Sequence, residues 1–191
     1  PLHVLFVDEA GQLALADVLA AGTAARSPVL LGDPNQLPQV AQGSHPEGSG
    51  LSVLEHLLGD HETVPPDRGL FLEQTWRPRP ELCAFTSSAY YEGRLGYAPP
   101  AARRSLAAGN GPVWLPVEHE GHGQSSPEEA AAIASAIEEL LGTDFTDEDG
   151  VTRPLVETDI LVVAPYNAQV WTLRACLPGA IPVGTVDKFQ G

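Results

Sequence analysis

Methionine is absent from this chain of 191 residues, and lysine occurs once, at Lys188. Phe189 follows that lysine, so the chain holds no phosphate-cradling loop of the form G-x-x-x-x-G-K-[ST]. Basic side chains are few: 10 Lys and Arg face 25 Asp and Glu, a formal net charge of −15 at pH 7. A free-standing nucleic-acid-binding module normally shows a basic face, and this balance argues against one. It still allows a piece of a larger protein whose grip on nucleic acid comes from backbone amides and from other domains. No run reaches the roughly 18 apolar residues that a membrane-spanning helix needs, and no secretory leader is visible. The two cysteines, Cys83 and Cys176, lie far apart in apolar settings. They read as thiols rather than as a disulfide or metal pair, and fit a reducing cytoplasm. His119 and His122 have metal-like spacing, but no Cys or second His pair stands near them, which favours a Gly-rich loop.

What is present is concentrated in two short segments. Residues 2–7 form an apolar run that ends in Asp8-Glu9-Ala10-Gly11-Gln12. An acidic pair at the carboxyl end of a buried strand can hold Mg²⁺ and activate water for phosphoryl transfer. Asp8 would hold the metal, through water, and Glu9 would take the proton of the attacking water. A bare Asp-Glu pair is a common surface feature; the preceding apolar run and the following Ala-Gly-Gln favour the chemical reading. A second apolar run ending at Leu31 leads into Gly32-Asp33-Pro34-Asn35-Gln36-Leu37-Pro38. Gly and Pro permit a tight turn directly after a strand. Gln36 then sits where open α/β sheets bind ligands, as a neutral amide suited to sensing a γ-phosphate.

The alternation around these segments predicts the architecture. Continuous apolar runs at residues 2–7 and 27–31 suit buried parallel strands, and the Ala/Leu-rich stretch 13–25 between them suits a helix. Residues 42–50 read as a Gly/Ser/Pro loop. Ser52-Val53-Leu54-Glu55 is a capping box for a short helix reaching Leu58. Residues 81–91 predict a helix anchored by Leu82, Phe85, Ala89 and Tyr90, with Phe85, Tyr90 and Tyr91 read as core. A loop at 98–112 and a strand at 113–117 follow. Ser126-Pro127-Glu128-Glu129 combines an N-cap, a Pro at the first helical position and a capping-box Glu, and Ala130, Ile133, Ala134, Ile137 and Leu141 continue at helical spacing before Gly142. Residues 143–157 read as a mobile acidic loop, 159–164 as a buried strand, 168–177 as a helix and 181–186 as a last strand.

A third segment is Leu72-Glu73-Gln74-Thr75-Trp76-Arg77-Pro78-Arg79-Pro80. Arg77, held between an aromatic ring and prolines, is a guanidinium that a second domain could place against a γ-phosphate. From here the chain resembles superfamily 1 helicases related to the nonsense-mediated-decay helicase and the replication helicase-nuclease. Residues 7–13 and 32–37 are similar to motifs II and III of that family. Its L-x-x-Q-Y-R-M-H-P pattern has Trp76 at the Tyr, Arg77 at the Arg and Pro80 at the last Pro; Thr75, Pro78 and Arg79 replace Gln, Met and His. Residues 85–95 resemble the helix ending in F/Y-Y-x-G-x-L. Residues 159–169 resemble the strand leading to T-P-Y-x-x-Q, with Ala164 in place of the Thr, and residues 183–191 resemble motif V, T-V-D-x-F-Q-G.

The resemblance implies an α/β, parallel-sheet, RecA-like (P-loop NTPase) architecture: residues 1–72 as the latter part of a first RecA-like domain and 73–191 as most of a second. It implies ATP and Mg²⁺ as ligands, Asp8, Glu9, Gln36 and Arg77 around the nucleotide, and Glu9, Gln36 and Arg77 in catalysis. Tyr166, at a strand end, and Thr185, whose hydroxyl and amide can meet a phosphate, are the candidates for nucleic acid. The chain is then expected to be an internal piece of an ATP-dependent helicase or translocase, inactive by itself without the P-loop. Such a motor moves 5′ to 3′ on a single strand, DNA ahead of RNA, with a nuclease domain possible on the same chain and no membrane partner. The competing reading is a non-enzymatic helicase-like scaffold or nuclease-docking module.

Overall fold

A computed structural model describes residues 2–37 and 49–189. It divides into two compact units, Pro1–Thr75 with Cys83–Gly96, and Trp76–Leu82 with Tyr97–Gly191. Both are α/β, and each contains a small parallel sheet.

In the first unit β1 (Leu2–Val7) pairs in parallel with β2 (Ala25–Leu30), in register from Leu2 opposite Ala25 to Val7 opposite Leu30. Parallel strands need a crossover, and α1 (Leu15–Gly22) supplies it, burying Val18. The capping box forms as the sequence predicts. Ser52 Oγ accepts from the Glu55 amide at 3.1 Å, and Glu55 Oε2 accepts from the Ser52 amide at 2.8 Å, starting α2 (Val53–Leu58). The Val53 amide donates to Leu13 O, and Val53 joins Val7, Ala10 and Val18 in the core. Of the loop expected at 42–50, residues 42–48 lie outside the described residues.

The chain then passes β3 (Gln74–Thr75), α3 (Pro80–Tyr90) and β4 (Gly96–Tyr97). Helix α3 is where it was expected, but its buried face is not. Cys83 and Ser87, four residues apart, are buried, whereas Leu82, Phe85, Ala89 and Tyr90 are exposed and Tyr91 is half-buried. Residues at i and i+4 share one helix face, and here the small pair lies inward. The reading of Phe85 and Tyr90 as core is therefore corrected.

In the second unit a 3₁₀ turn (Pro99–Arg103) precedes β5 (Ser105–Leu106). The strand expected at 113–117 does not form, and Val113 and Trp114 are exposed. Helix α4 (Pro127–Leu140) starts at Ser126 and stops at Gly142, whose φ of 80° only glycine adopts readily. The stretch 143–157, expected as a mobile loop, is instead ordered. It forms an antiparallel hairpin of β6 (Asp144–Thr146) and β7 (Thr152–Pro154), which β5 extends into a three-stranded sheet. Its turn is closed by Asp147, whose Oδ1 accepts the amides of Asp149 and Val151. Acidic composition hid a local turn.

A parallel pair follows: β8 (Val162–Val163) beside β9 (Val183–Gly184), joined through α5 (Asn167–Cys176). Both strands are shorter than their apolar runs, and α6 (Val186–Phe189) begins where the last strand was expected to end. Ala130, Ile137, Val162, Ala164, Val170, Leu173, Leu177, Ile181 and Val183 form the core between α4, α5 and the sheet. Among the described residues, no helix is long and apolar enough to cross a membrane.

Candidate active site

Asp8 and Glu9 leave the carboxyl end of β1 immediately after buried Val7, and both are exposed. The Glu9 amide donates to Asp8 Oδ1 at 3.0 Å, which fixes one carboxylate oxygen. Glu9 itself has a φ of 52°. A left-handed backbone at a non-glycine residue costs on the order of 1–3 kcal/mol and persists only where its surroundings impose it.

Those surroundings are backbone. The Ala10 amide donates to Leu31 O and the Leu31 amide to Val7 O, each at 2.8 Å, so the two strands stay paired into their turns. A Cβ on Gly11 would lie 2.1 Å from Asp33 O, and one on Gly32 would lie 2.8 Å from the Ala10 nitrogen. Each glycine therefore admits the other turn's backbone. The consequence is a side-chain contact: Gln12 Nε2 donates to Gln36 Oε1 at 3.3 Å. With its oxygen engaged, the Gln36 amide presents its Nε2 donor group. Gln12 was not singled out from sequence, although Ala-Gly-Gln after the acidic pair was the available signal.

The donor set suits Mg²⁺. Two adjacent exposed carboxylates offer hard oxygens, and among the described residues no cluster of three or more His, Cys, Asp or Glu forms a cage. Mg²⁺ is typically held by one or two carboxylates, waters and substrate phosphate, rather than by such a cage.

Arg77 lies in the second unit and is exposed. Its neighbourhood is braced by other arginines. Arg104 donates to the carbonyls of Arg77 and Trp76 and pairs with Glu148 at 3.1 Å. Arg79 is tied down: Nε and Nη2 donate to Glu81 at 3.2 Å and Nη1 to Ala102 O at 3.1 Å. The Arg79 guanidinium holds the Glu81 carboxyl below its ordinary range. The two arginines of this motif are thus in different situations, one a brace and one at the surface.

Tyr166 and Thr185 lie just beyond the carboxyl ends of β8 and β9, which run parallel with Val163 opposite Gly184. The same edge of the sheet therefore carries both. Tyr166 is half exposed and Thr185 partly buried. Nearby, Gln169 is buried and holds α4 to α5: its Oε1 accepts the Ser126 amide at 2.7 Å and its Nε2 donates to Ser126 O at 3.1 Å. Glu129 supplies only half of the expected capping box, its amide donating to Ser126 Oγ, because Gln169 takes the Ser126 amide.

Comparison with known proteins shows the family. A family model described as an AAA domain, AAA_12, matches residues 50–191. The chain belongs to that family. The chain is 24% identical over 215 residues to the DNA replication ATP-dependent helicase/nuclease JHS1 of Arabidopsis thaliana, with 98% of the chain and 15% of the relative covered. It is 26% identical to the probable helicase MAGATAMA 3 of the same plant, covering 98% of the chain and 25% of the relative. It is 27% identical to the 5′-3′ DNA helicase ZGRF1 of Mus musculus, covering 85% and 9%. The chain thus spans a quarter or less of the length of these relatives, and it is a superfamily 1 helicase-type region. The acidic pair and the Gln36 turn lie ahead of residues 50–191 but within the nearly full-length matches.

Proposed function

We propose that this chain is part of an ATP-dependent helicase or translocase that moves 5′ to 3′ on single-stranded nucleic acid, DNA ahead of RNA. The chain is read as pieces of two RecA-like domains, with 1–72 assigned to the first and 73–191 to the second, a division that differs from the compact units in where Cys83–Gly96 belongs; a nuclease domain on the same polypeptide fits the reading. The observation that carries the proposal is the interlocked pair of turns, in which Gly11 and Gly32 allow the acidic pair and Gln36 to share one strand-end edge. The relatives' names support the substrate class. Bound Mg²⁺ would neutralise phosphate charge. Asp8 would hold it through water, Glu9 would accept the proton of the attacking water, and the Gln36 amide would donate to the γ-phosphate. Arg77 neutralises charge that develops on transfer. Tyr166 stacks on a base and Thr185 donates to a backbone phosphate, contacts that ignore sequence, as translocation requires.

Glu9→Gln in the full-length protein containing this chain tests the assignment. The amide keeps the size but accepts no proton, so ATP turnover falls on the order of 10²-fold or more. Mg²⁺-dependent ATP binding by equilibrium titration stays within a few-fold. Turnover near the wild-type rate would remove Glu9 from the base role.

A further inference from the structure

The Gln36 turn is held from a second direction that the chemistry above does not use. Tyr91 Oη donates to Asp33 Oδ2 at 2.5 Å, leaving Oδ1 to accept the Asn35 amide at 3.0 Å. Asn35 returns the contact, its Nδ2 donating to Tyr90 O at 2.9 Å and to Glu62 O at 3.2 Å. The Tyr91 ring is itself placed. Phe71 lies 6.0 Å from it between centroids, and Arg94 sits over Phe71 at 4.7 Å while donating to Thr63 Oγ1 at 2.7 Å. Thr63 is buried and donates to Glu92. Tyr91, Tyr90 and Glu62 thus bond the turn directly, with Phe71, Thr63, Glu92 and Arg94 behind them, and all of these residues belong to the first unit.

We propose that Tyr91 is a positioning residue for Gln36: its hydroxyl locks the Asp33 carboxylate, and through it the turn that aims the Gln36 amide. This rests on reading the site as a nucleotide hydrolase. An Asp side chain free to rotate would satisfy the Asn35 amide in more than one geometry. With one oxygen pinned by Tyr91, only one arrangement keeps both bonds. Gln36 then has its backbone set by the turn, its amide donating to Asp33 O at 3.4 Å, and its side chain set by Gln12. Burial first, and the facing Asp33 carboxylate second, raise the Tyr91 hydroxyl well above its ordinary range, so it remains a donor at every working pH. A sensor amide must be aimed before the γ-phosphate arrives, because only contacts stronger in the transition state accelerate the step.

The test is steady-state kinetics and thermal melting on the full-length protein containing this chain. Tyr91→Phe keeps the ring and removes the latch, so kcat falls about tenfold with KM for ATP changed less than about twofold. Asp33→Asn still accepts the Asn35 amide and offers an N–H to Tyr91 Oη, so it retains most of the activity. Leu58→Ala, at a buried side chain of α2 outside the contacts around Tyr91, lowers Tm while its kcat stays near wild type. Tyr91→Phe turning over as fast as wild type overturns the positioning role, as does a Leu58→Ala loss of kcat equal to that of Tyr91→Phe. Glu9→Gln separates the two readings. If wild type and Glu9→Gln alike hydrolyse no ATP, the hydrolase reading fails and the Tyr91 role falls with it. If only Glu9→Gln is inactive, the hydrolase reading stands and the Tyr91 variant decides its own case.

Discussion

The unit that carries Asp8, Glu9 and Gln36 and the unit that carries Arg77, Tyr166 and Thr185 are held together differently. In the first, Leu2, Val4 and Phe6 of β1 are exposed, and the core is a small cluster around Val7, Ala10, Val18 and Val53. Order at its candidate site comes from glycine-permitted backbone contact and from polar bonds such as Tyr91 to Asp33. In the second, α4 and α5 close over β8 and β9 with a continuous apolar core, and Leu173 is only 1% exposed. Backbone interlocking fixes direction at low tolerance, since a single added carbon has nowhere to go. Apolar packing fixes position through many weak contacts, each of which can relax. Of the residues proposed for chemistry, Asp8, Glu9 and Gln36 sit on the first kind of support, whereas Tyr166 and Thr185, proposed for nucleic acid, sit at the rim of the second.

The largest expected effect falls on Arg77. Arg77→Ala in the full-length protein slows ATP hydrolysis roughly 10³-fold, as loss of an arginine finger does. Nucleotide affinity changes far less, because such a group acts on charge that develops during transfer. Arg77→Lys does not restore the rate, since an ammonium lacks the planar fork. Arg79→Ala is mild in turnover, for Arg79 is committed to Glu81 and Ala102. Single-turnover measurements of the three variants check this; reversed phenotypes would mean that the second arginine is the finger. Leu173→Ala comes next. Truncating a side chain this buried costs about 3–4 kcal/mol, read as a lower denaturation midpoint of the 191-residue chain. A cost under about 1 kcal/mol would show that this core yields as freely as a surface.

Sequence carried the strand ends well and the long-range polar bonds poorly. The Asp-Glu pair after β1, the Gly-Asp-Pro turn after β2, and the Ser52–Glu55 box are local, so their geometry is written in adjacent residues. Gln169 bonding Ser126 across 43 residues leaves no such trace, nor does Tyr91 reaching Asp33 across 58. Helix α3 was legible as a helix and misjudged in its facing, because size was taken for depth: Cys83 and Ser87 lie inside, and Phe85 outside. The hairpin of β6 and β7 had its signal in Asp-Glu-Asp-Gly, a turn sequence read as mere acidity.

Gly11→Ala probes the interlock directly. The added methyl would meet Asp33 O, a backbone atom that cannot swing away, so either the two turns part or β1 shifts. Overpacking of this kind costs about 2–3 kcal/mol. In the 191-residue chain it should also speed hydrogen exchange at the Ala10 and Leu31 amides, which bridge the strand ends. Unchanged exchange at both would mean that the turns separate without disturbing the sheet, and the support would be looser than the close approach implies.

The smallest effect sharpens the contrast from the other side, at a polar contact in the unit built on apolar packing. Arg153 lies over the Phe145 ring and donates to both oxygens of Asp159 at 2.6 Å, and the Val156 amide adds a third bond. The Arg153 guanidinium, first, and the Val156 amide hold the Asp159 carboxyl down to about 2. A carboxyl held low when folded stabilises the fold above its unfolded value, roughly pH 4, and that contribution disappears as pH falls through about 4 toward the folded value. Asp159→Asn lacks the titrating group. Its Tm should therefore lie below wild type at neutral pH, by a few degrees for a partly exposed pair, and the gap should close between roughly pH 4 and pH 2. Comparing the two proteins at each pH removes the shared effect of the other carboxylates in a chain this acidic. A gap that stays constant with pH would show that Asp159 acts through its hydrogen-bonding shape alone, and that its charge adds nothing to a unit already held by its core.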